Sequence, residues 1–417
     1  MKPFYRLFIF LYPRVARLIS FKNSKAALWL EGRKGLFEKL SRTFTSNTDK
    51  IVWMHCSSLG EFEQGRPVLE SVRKTNPGIK ILLSFFSPSG YEVRKNYTGA
   101  DWVFYLPMDS PENAKRFFDI VNPSLVLFVK YEFWYYYLKE AEKRNTPLLL
   151  VSGVFRSSQP FFKWYGNFYR EMLQCFTHLF VQNEVSIALL KSIGIHHTSI
   201  SGDTRFDRVI EIAERAESFP DIEKFIGNSK VVVAGSTWTE DDEELDHFAN
   251  TQPQTKFIIA PHNIEEEKLQ ECLSLYKHAI LYSQLKHPGI DLSSVNTLIV
   301  DNIGMLSALY RYATICYIGG GFGNDGVHNV LEAAVYSKPV VFGPEYDKYT
   351  EAIGLIDADG AFSIESALEL EEILAELLSG GEEYEKTAMN AGSFIKQNAG
   401  AVKLVIQYIQ ENRLLTS

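Results

Sequence analysis

The sequence predicts an α/β protein made of two successive parallel sheets, each covered by helices. Three observations carry this. Short β-rich runs alternate with helical stretches through the first half, and the alternation restarts near residue 230 after a charged interval. Small or polar residues follow strand after strand, at the edge where parallel sheets bind ligands. The 417 residues, 46% apolar and 23% charged, suffice for two domains with sizeable cores.

The chain opens on "MKPFYRLFIFLYPRVARLISFKNSKAALWLEGRKGLFEKL". Residues 1–50 hold eleven Lys or Arg against three Asp or Glu, a surplus of eight, so a net charge of -8 leaves -16 for the remainder. The longest uncharged run, Leu7 to Pro13, is far short of the roughly 20 apolar residues of a spanning helix. Phe4, Tyr5, Leu7, Phe8, Ile9, Phe10, Leu11 and Tyr12 alternate with Lys2, Arg6, Arg14, Arg17, Lys22 and Lys25. That pattern suits a segment lying in an anionic interface, or a helix packed on the protein with a solvated basic face. Residues 1–45 are therefore expected to form a membrane-associating arm. No small-x-small cleavage site follows, so the segment does not read as a signal peptide. The acidic body argues against a nucleic-acid track.

Strands are expected over 51–56, 79–85, 102–106, 124–129, 147–151 and 178–182, with helices such as 111–120 and 185–193 between them, giving a first domain over 46–205. "IVWMHCSSLGEFEQGRP" places Glu61 where the first strand hands over to a helix expected from Phe62. Position alone makes Glu61 either a first-turn carboxylate complementing the helix dipole or a group facing a ligand. A charged helical interval, 206–229, links this domain to the second.

The second domain, 230–417, is expected to carry strands at 230–237, 256–262, 296–302, 314–321 and 339–344, then helices from about 368 to 415. "AGSTW", 234–238, precedes an acidic helix, so its N–H groups and the Ser236 and Thr237 hydroxyls either hold a phosphate or form an ordinary N-cap. Gly321, Gly323 and Gly326 spell G-x-G-x-x-G, but at least two strands of the same domain come first, whereas the dinucleotide fingerprint belongs on the first βα turn. Asn329 and Glu332, in "HNVLEAA", stand one helical turn apart and reach a common ligand, as ribose recognition requires. No G-x-x-x-x-G-K-[ST] occurs. Cys56, Cys175, Cys272 and Cys316 are scattered without C-x-x-C, as reduced buried thiols are. His196 and His197 are adjacent and read as loop, Asp357 and Asp359 as a solvated turn, and no metal-ligand spacing appears.

Seven stretches in order resemble the 3-deoxy-D-manno-octulosonic acid (Kdo) transferases: "WMHCSSLGEFEQGRP", "YLPMDSPENAKRFFDIVNPSLVLFVKYEFW", "SGDTRFD", "AGSTWTEDDEEL", "APHNIEE", "VDNIGMLSALYRYA" and "GGGFGNDGVHNVLEAAVYSKPVVFGP". The resemblance covers nearly the whole chain. It implies a GT-B glycosyltransferase fold, two Rossmann-like domains facing across a cleft, with CMP-Kdo as donor, the glucosamine disaccharide of a lipid A precursor as acceptor, and neither metal nor cofactor. It implies work at the cytoplasmic face of the inner membrane, docked on an anionic surface through the N-terminal segment.

Residue by residue, the resemblance implies that Glu61 is the catalytic base, ionised at neutral pH by nearby N–H dipoles. Arg205 stands where the family carries a lysine that stabilises the transition state. Pro261 and His262 match a Pro-Arg pair that touches CMP, so His262 replaces an arginine. Ile303, Gly304 and Met305 match a second CMP contact, and Asn329, Val330, Leu331 and Glu332 a third. Where relatives read E-x-E-[LF]-W, this chain has Lys130 and Glu132, so either Glu132 takes the acidic duty or Lys130 assists the donor directly. The competing readings are another GT-B nucleotide-sugar transferase, a non-catalytic nucleotide-sugar or lipid-binding protein, and a dinucleotide-dependent oxidoreductase.

Overall fold

In the first unit, residues 1–208 and 399–417, seven parallel strands lie in the order β3-β2-β1-β4-β5-β6-β7. They are β1 (Ile51–Cys56), β2 (Lys80–Phe85), β3 (Trp102–Tyr105), β4 (Leu125–Val129), β5 (Leu148–Gly153), β6 (His178–Val181) and β7 (Thr198–Ile200). The computed structural model describes residues 1–285, 287 and 292–415. β1 is buried on both faces, so it reads as a continuous apolar run. Its alternation still sorts the core. Trp53 enters an aromatic cluster with Phe117, Phe118, Phe128 and Tyr137, ring centroids 4.7–5.7 Å away. Val52, Met54 and Cys56 face the other layer with Phe62 and Val68.

The expected arm is not separate. Helices Lys2–Ile19, Ser24–Glu31 and Leu36–Phe44 pack on the first unit, with Ala16, Trp29, Leu36, Leu40 and Phe44 buried in the Trp53 layer. The Tyr5 hydroxyl donates to buried Asp109 at 2.5 Å, and Asp109 in turn accepts N–H bonds from Tyr136 and Tyr137. The packed alternative of the sequence reading is present, because an apolar helix with basic residues looks alike on a membrane and on a protein. The outer side of the first helix nevertheless leaves Phe4, Leu7, Phe8, Leu11 and Leu18 exposed. Among the described residues, no helix is long and apolar enough to cross a membrane.

The second unit, residues 209–398, has seven parallel strands in the order β10-β11-β9-β8-β12-β13-β14. They are β8 (Val231–Thr237), β9 (Lys256–Pro261), β10 (Ala279–Leu281), β11 (Thr297–Ile299), β12 (Ile315–Ile318), β13 (Val340–Phe342) and β14 (Ala361–Ser363). The sequence reading did not anticipate β7, β10 or β14. Each is a three-residue strand at a sheet edge and only partly buried, so the apolar signal is faint.

The tail also divides differently from the expected 230–417 domain, whose last two residues, 416 and 417, lie outside the described residues. Helices Ala367–Ser379 and Glu382–Asn398 belong to the second unit, but Ala401–Glu411 belongs to the first. There Val405, Ile406, Ile409 and Leu415 join the layer of Met54 and Phe62. The charged interval is two helices, Thr204–Glu214 and Pro220–Ile226, and the division into units falls inside the first of them. Asp207 accepts N–H bonds from Gly400 and Val402 at 3.0 and 3.4 Å, capping the last helix. We expect Asp207→Ala to lower stability by about 1 kcal/mol and Ile409→Ala by about 2–5 kcal/mol, as measured by urea denaturation.

Candidate active site

Strand connections in the first sheet leave β1 toward β2 and β3, and leave β4 toward β5, β6 and β7. The reversal between β1 and β4 is the topological switch point, where diverging connections open a crevice at the strand ends. Glu61 follows β1, and Lys130 and Glu132 follow β4, so this crevice collects three of the four predicted catalytic residues. The helix begins at Leu59, earlier than expected, with Ser58 as N-cap, so Glu61 lies in its first turn. Its carboxylate turns back to accept the Ser57 N–H at 2.5 Å.

Glu61 is not ionised by its helix dipole. Burial pushes its carboxyl up, the neighbouring Glu132 charge adds to this, and the N–H groups of Ser57 and Tyr131 with the Lys130 ammonium only partly offset them, leaving it at about 8. The expectation of ionisation at neutral pH is therefore corrected. It counted the dipole and not the desolvation. Lys130 sits in the left-handed region at φ 60°, which costs about 1–2 kcal/mol for a side chain with Cβ. That turn delivers the next N–H, of Tyr131, to Glu61.

Behind Glu132 runs a buried chain that sequence reasoning missed. The Trp53 indole N–H donates to Ser84 Oγ at 2.7 Å, and His55 Nδ1 lies 2.9 Å from the same Oγ. Nδ1 also lies 3.2 Å from the Ser84 carbonyl oxygen, and Nε2 lies 3.3 Å from the Glu132 carboxylate, which can only accept from it. His55 and Ser84 are opposite one another on β1 and β2 and both fully buried. The chain fixes the Glu132 carboxylate in place, and its charge adds to the burial that raises Glu61. A lone histidine inside an apolar strand gives no sequence signal of this, because its partner is twenty-nine residues away.

Arg205 is close enough to Tyr131 to affect its titration, as are Glu61, Arg156 and Asp203. It enters as part of an ion pair: its Nε and Nη2 donate to Asp203 Oδ2 at 2.8 and 2.7 Å, and its backbone N–H donates to Oδ1. Asp203, almost fully buried, was not anticipated.

In the second sheet the connections reverse between β8 and β12. The exits here are Ser236 to Trp238 and the glycines after Ile318. A Cβ on Gly319 would lie 2.4 Å from the Ser236 carbonyl oxygen, and one on Gly321 2.6 Å from the Gly343 nitrogen, so the glycines let three strand ends meet. The N–H of Gly320 donates to fully buried Asp241 at 2.8 Å, as do Trp238 N–H and the Tyr317 hydroxyl. These glycines thus serve backbone packing, and the Gly320 N–H is committed to Asp241 rather than to a dinucleotide phosphate. The phosphate reading of "AGSTW" narrows likewise, since Thr237 is fully buried and Trp238 N–H is taken.

A cavity of about 520 Å³ lies beside this exit, with Ser236, Trp238, Pro261, His262, Ile303 and Gly304 on its walls. Met305 adjoins it as the N-cap of the next short helix. His262 stacks across two neighbouring rings, Trp238 at 4.5 Å and His328 at 4.6 Å, each pair inclined by 20°, and those two are nearly coplanar, the Trp238 indole N–H donating to His328 Nε2 at 3.0 Å. Burial and the proximity of His262 lower the His328 pKa, consistent with that nitrogen accepting. His262 is therefore an aromatic element of this wall. Trp238 and His328 complete it and were missed.

Asn329 Nδ2 donates to Glu332 Oε1 at 2.9 Å, pairing the two as their spacing predicts. They lie next to the stack, through His328, rather than on the cavity wall. Val330 and Leu331 have fully buried side chains, so the expected third contact segment contracts to Asn329 and Glu332. Among the described residues, no group of three or more His, Cys, Asp or Glu converges as metal ligands would.

Residues 32–208 match the family described as 3-deoxy-D-manno-octulosonic-acid transferase. The 3-deoxy-D-manno-octulosonic acid transferase of Rickettsia typhi is 25% identical over 92% of this chain and 83% of its own length, and that of Aquifex aeolicus is 27% identical over 82% and 91%. A bifunctional glycosyltransferase/methyltransferase of Fusobacterium nucleatum is 29% identical over 76% of this chain, which spans 50% of that protein. The UDP-GlcNAc 2-epimerase of Neisseria meningitidis shares the fold, with a TM-score of 0.61 over 87% of this chain and all of its own, at 17% identity. With two parallel seven-stranded sheets, a family match over residues 32–208 and relatives along most of its length, the chain is similar to the Kdo transferases and is a glycosyltransferase.

Proposed function

We propose that the protein transfers Kdo from CMP-Kdo to a sugar hydroxyl of a lipid A precursor in lipopolysaccharide synthesis, by direct displacement with inversion. The observation that carries this reading is Glu61, a buried carboxyl at the first switch point with a pKa near neutrality, beside a second carboxylate. Transfer to an alcohol needs a group that takes the hydroxyl proton as the anomeric carbon is attacked, and a carboxylate at about 8 is a stronger base than an exposed one. The departing CMP phosphate gains charge, which the Arg205 guanidinium is suited to offset. The ring stack of Trp238, His262 and His328 suits a pyrimidine base, and the Asn329–Glu332 pair suits ribose hydroxyls. No step requires a metal or cofactor.

The lipid acceptor accounts for the outer face of the first helix. Phe4, Leu7, Leu11 and Leu18 project outward, with Lys2, Arg6, Arg14 and Arg17 along the same helix. That combination supports peripheral docking on the anionic cytoplasmic surface of the inner membrane.

The primary test is mass spectrometry of a tetra-acylated lipid A precursor incubated with CMP-Kdo and the protein. A mass gain of one or more Kdo units is expected with the parent and not with Glu61→Gln. No gain with folded protein discards the donor and acceptor, and a gain that survives Glu61→Gln discards the base. In the free enzyme, kcat/KM should rise about tenfold per pH unit and level off above about pH 8. Glu132→Gln removes a charge that holds the Glu61 proton, so its profile should level off at lower pH. A profile unmoved in that variant would remove Glu132 from this role.

Stability follows the same proton. The folded Glu61 pKa lies above the unfolded value of about 4.3, so its contribution is fully present below that value and is lost as pH rises through about 8. Glu61→Gln should therefore melt at a higher temperature than the parent at pH 8.5, and at the same temperature at pH 4, by scanning calorimetry.

A further inference from the structure

The first unit holds an apolar groove of about 340 Å³ that borders the candidate active site. Phe8 of the first helix forms one wall, and Phe133, Trp134, Phe161 and Met172 form much of the rest. Glu132 lies at the groove as well, its side chain 15% exposed, and it is also the residue bonded to His55 and acting on Glu61. The groove is thus lined by hydrocarbon and aromatic rings, with a single carboxylate among them that belongs to the candidate active site.

Where the groove opens can be read from the first helix. Tyr5, Ile9, Tyr12 and Ala16 face the protein. Phe4, Leu7, Phe8, Leu11, Val15 and Leu18, at helical spacing, stay between 42% and 75% exposed. Phe8 belongs to both sets of surroundings, as a member of the outward apolar stripe and as a wall of the groove. An apolar path therefore runs from the outer face of the helix to Glu132. Stripes of this kind mark contact with another apolar phase, and a concave apolar site with few polar groups takes a ligand of matching shape.

We propose that this groove takes one fatty-acyl chain of the acceptor, leading it from the membrane-facing helix to the carboxylate pair where its sugar reacts. The inference rests on the lipid-acceptor reading above and adds which surface selects the chain. A flexible chain seated beside Glu132 restricts the sugar to which it is joined, so the groove contributes to orientation as well as to affinity. A second groove of about 290 Å³, lined by Tyr12, Val15, Ile19, Trp29 and Phe86, also borders the helix but includes no residue of the candidate site, and it serves as the control.

The groove is tested with dansyl-undecanoate, titrated into the full-length protein and followed by fluorescence. Gln159, a partly exposed wall residue, is replaced by Trp to fill the groove, and Phe8→Glu places a charge at its mouth without touching the core. Each variant should weaken probe binding at least tenfold, while Val15→Glu, in the control groove, should not. In the transfer assay, Gln159→Trp should raise KM at least tenfold for a long-chain acceptor and leave a short-chain acceptor unaffected. Unchanged probe affinity in either folded groove variant overturns the proposal. The probe decides the groove and transfer by the parent decides the reaction, so the failure of one is distinguishable from the failure of the other.

Discussion

A carboxyl group cannot be withdrawn from water without strengthening its hold on a proton, and the first unit is organised around that constraint at Glu61. The group is carried into a crevice that parallel-sheet topology creates wherever consecutive connections diverge. Because β1 and β4 are neighbours in the sheet but far apart in sequence, their loops place Glu61 beside Glu132 with no need for either loop to be long. Two carboxylates brought together in this way do not both ionise readily, and the second is the one supplied with a buried donor.

The donor to Glu132 is the end of a chain that starts in the core. Trp53, Ser84 and His55 are all on strands, and all are buried. Strands hold side chains more firmly than loops do, so a charge at the rim of the crevice is fixed from below by the sheet itself. Lys130 adds backbone strain at the same point, and its left-handed turn is the kind of local conflict that persists only where the surroundings enforce it. Ser236, at φ 56° beside the glycine exit, is the counterpart in the second unit. Both switch points thus carry a non-glycine residue in a disfavoured conformation.

The N-terminal helices show how one amphipathic segment meets two different demands. Tyr5 reaches Asp109, whose own pKa burial raises to about 6 even with three hydrogen bonds in opposition. That contact ties the first helix to the residue that caps helix Tyr135–Lys143, directly after Trp134 of the apolar groove. The side of the helix that faces away keeps its apolar residues in the open. The helix is apolar on two sides, and the protein holds only one of them.

The sequence by itself determined the two parallel α/β units, the central strands to within about three residues at either end, and the place of Glu61, Lys130 and Glu132 at strand ends. These depend on local patterns, apolar runs broken by turn residues, which are legible along the chain. The pairing of Asn329 with Glu332 was legible from their closeness in sequence, although Asn329 lies just before the short helix Leu331–Ala334 and not on it. What only the tertiary structure decided depends on contacts between segments far apart in sequence. The return of Ala401–Glu411 to the first unit, the use of Asp207 to cap it, the ring stack joining Trp238, His262 and His328, and the short edge strands are of this kind. The protonation of Glu61 belongs with them. Its helix position was readable and argued for ionisation, but desolvation depends on everything packed around the group, and only the folded chain sets how much water remains.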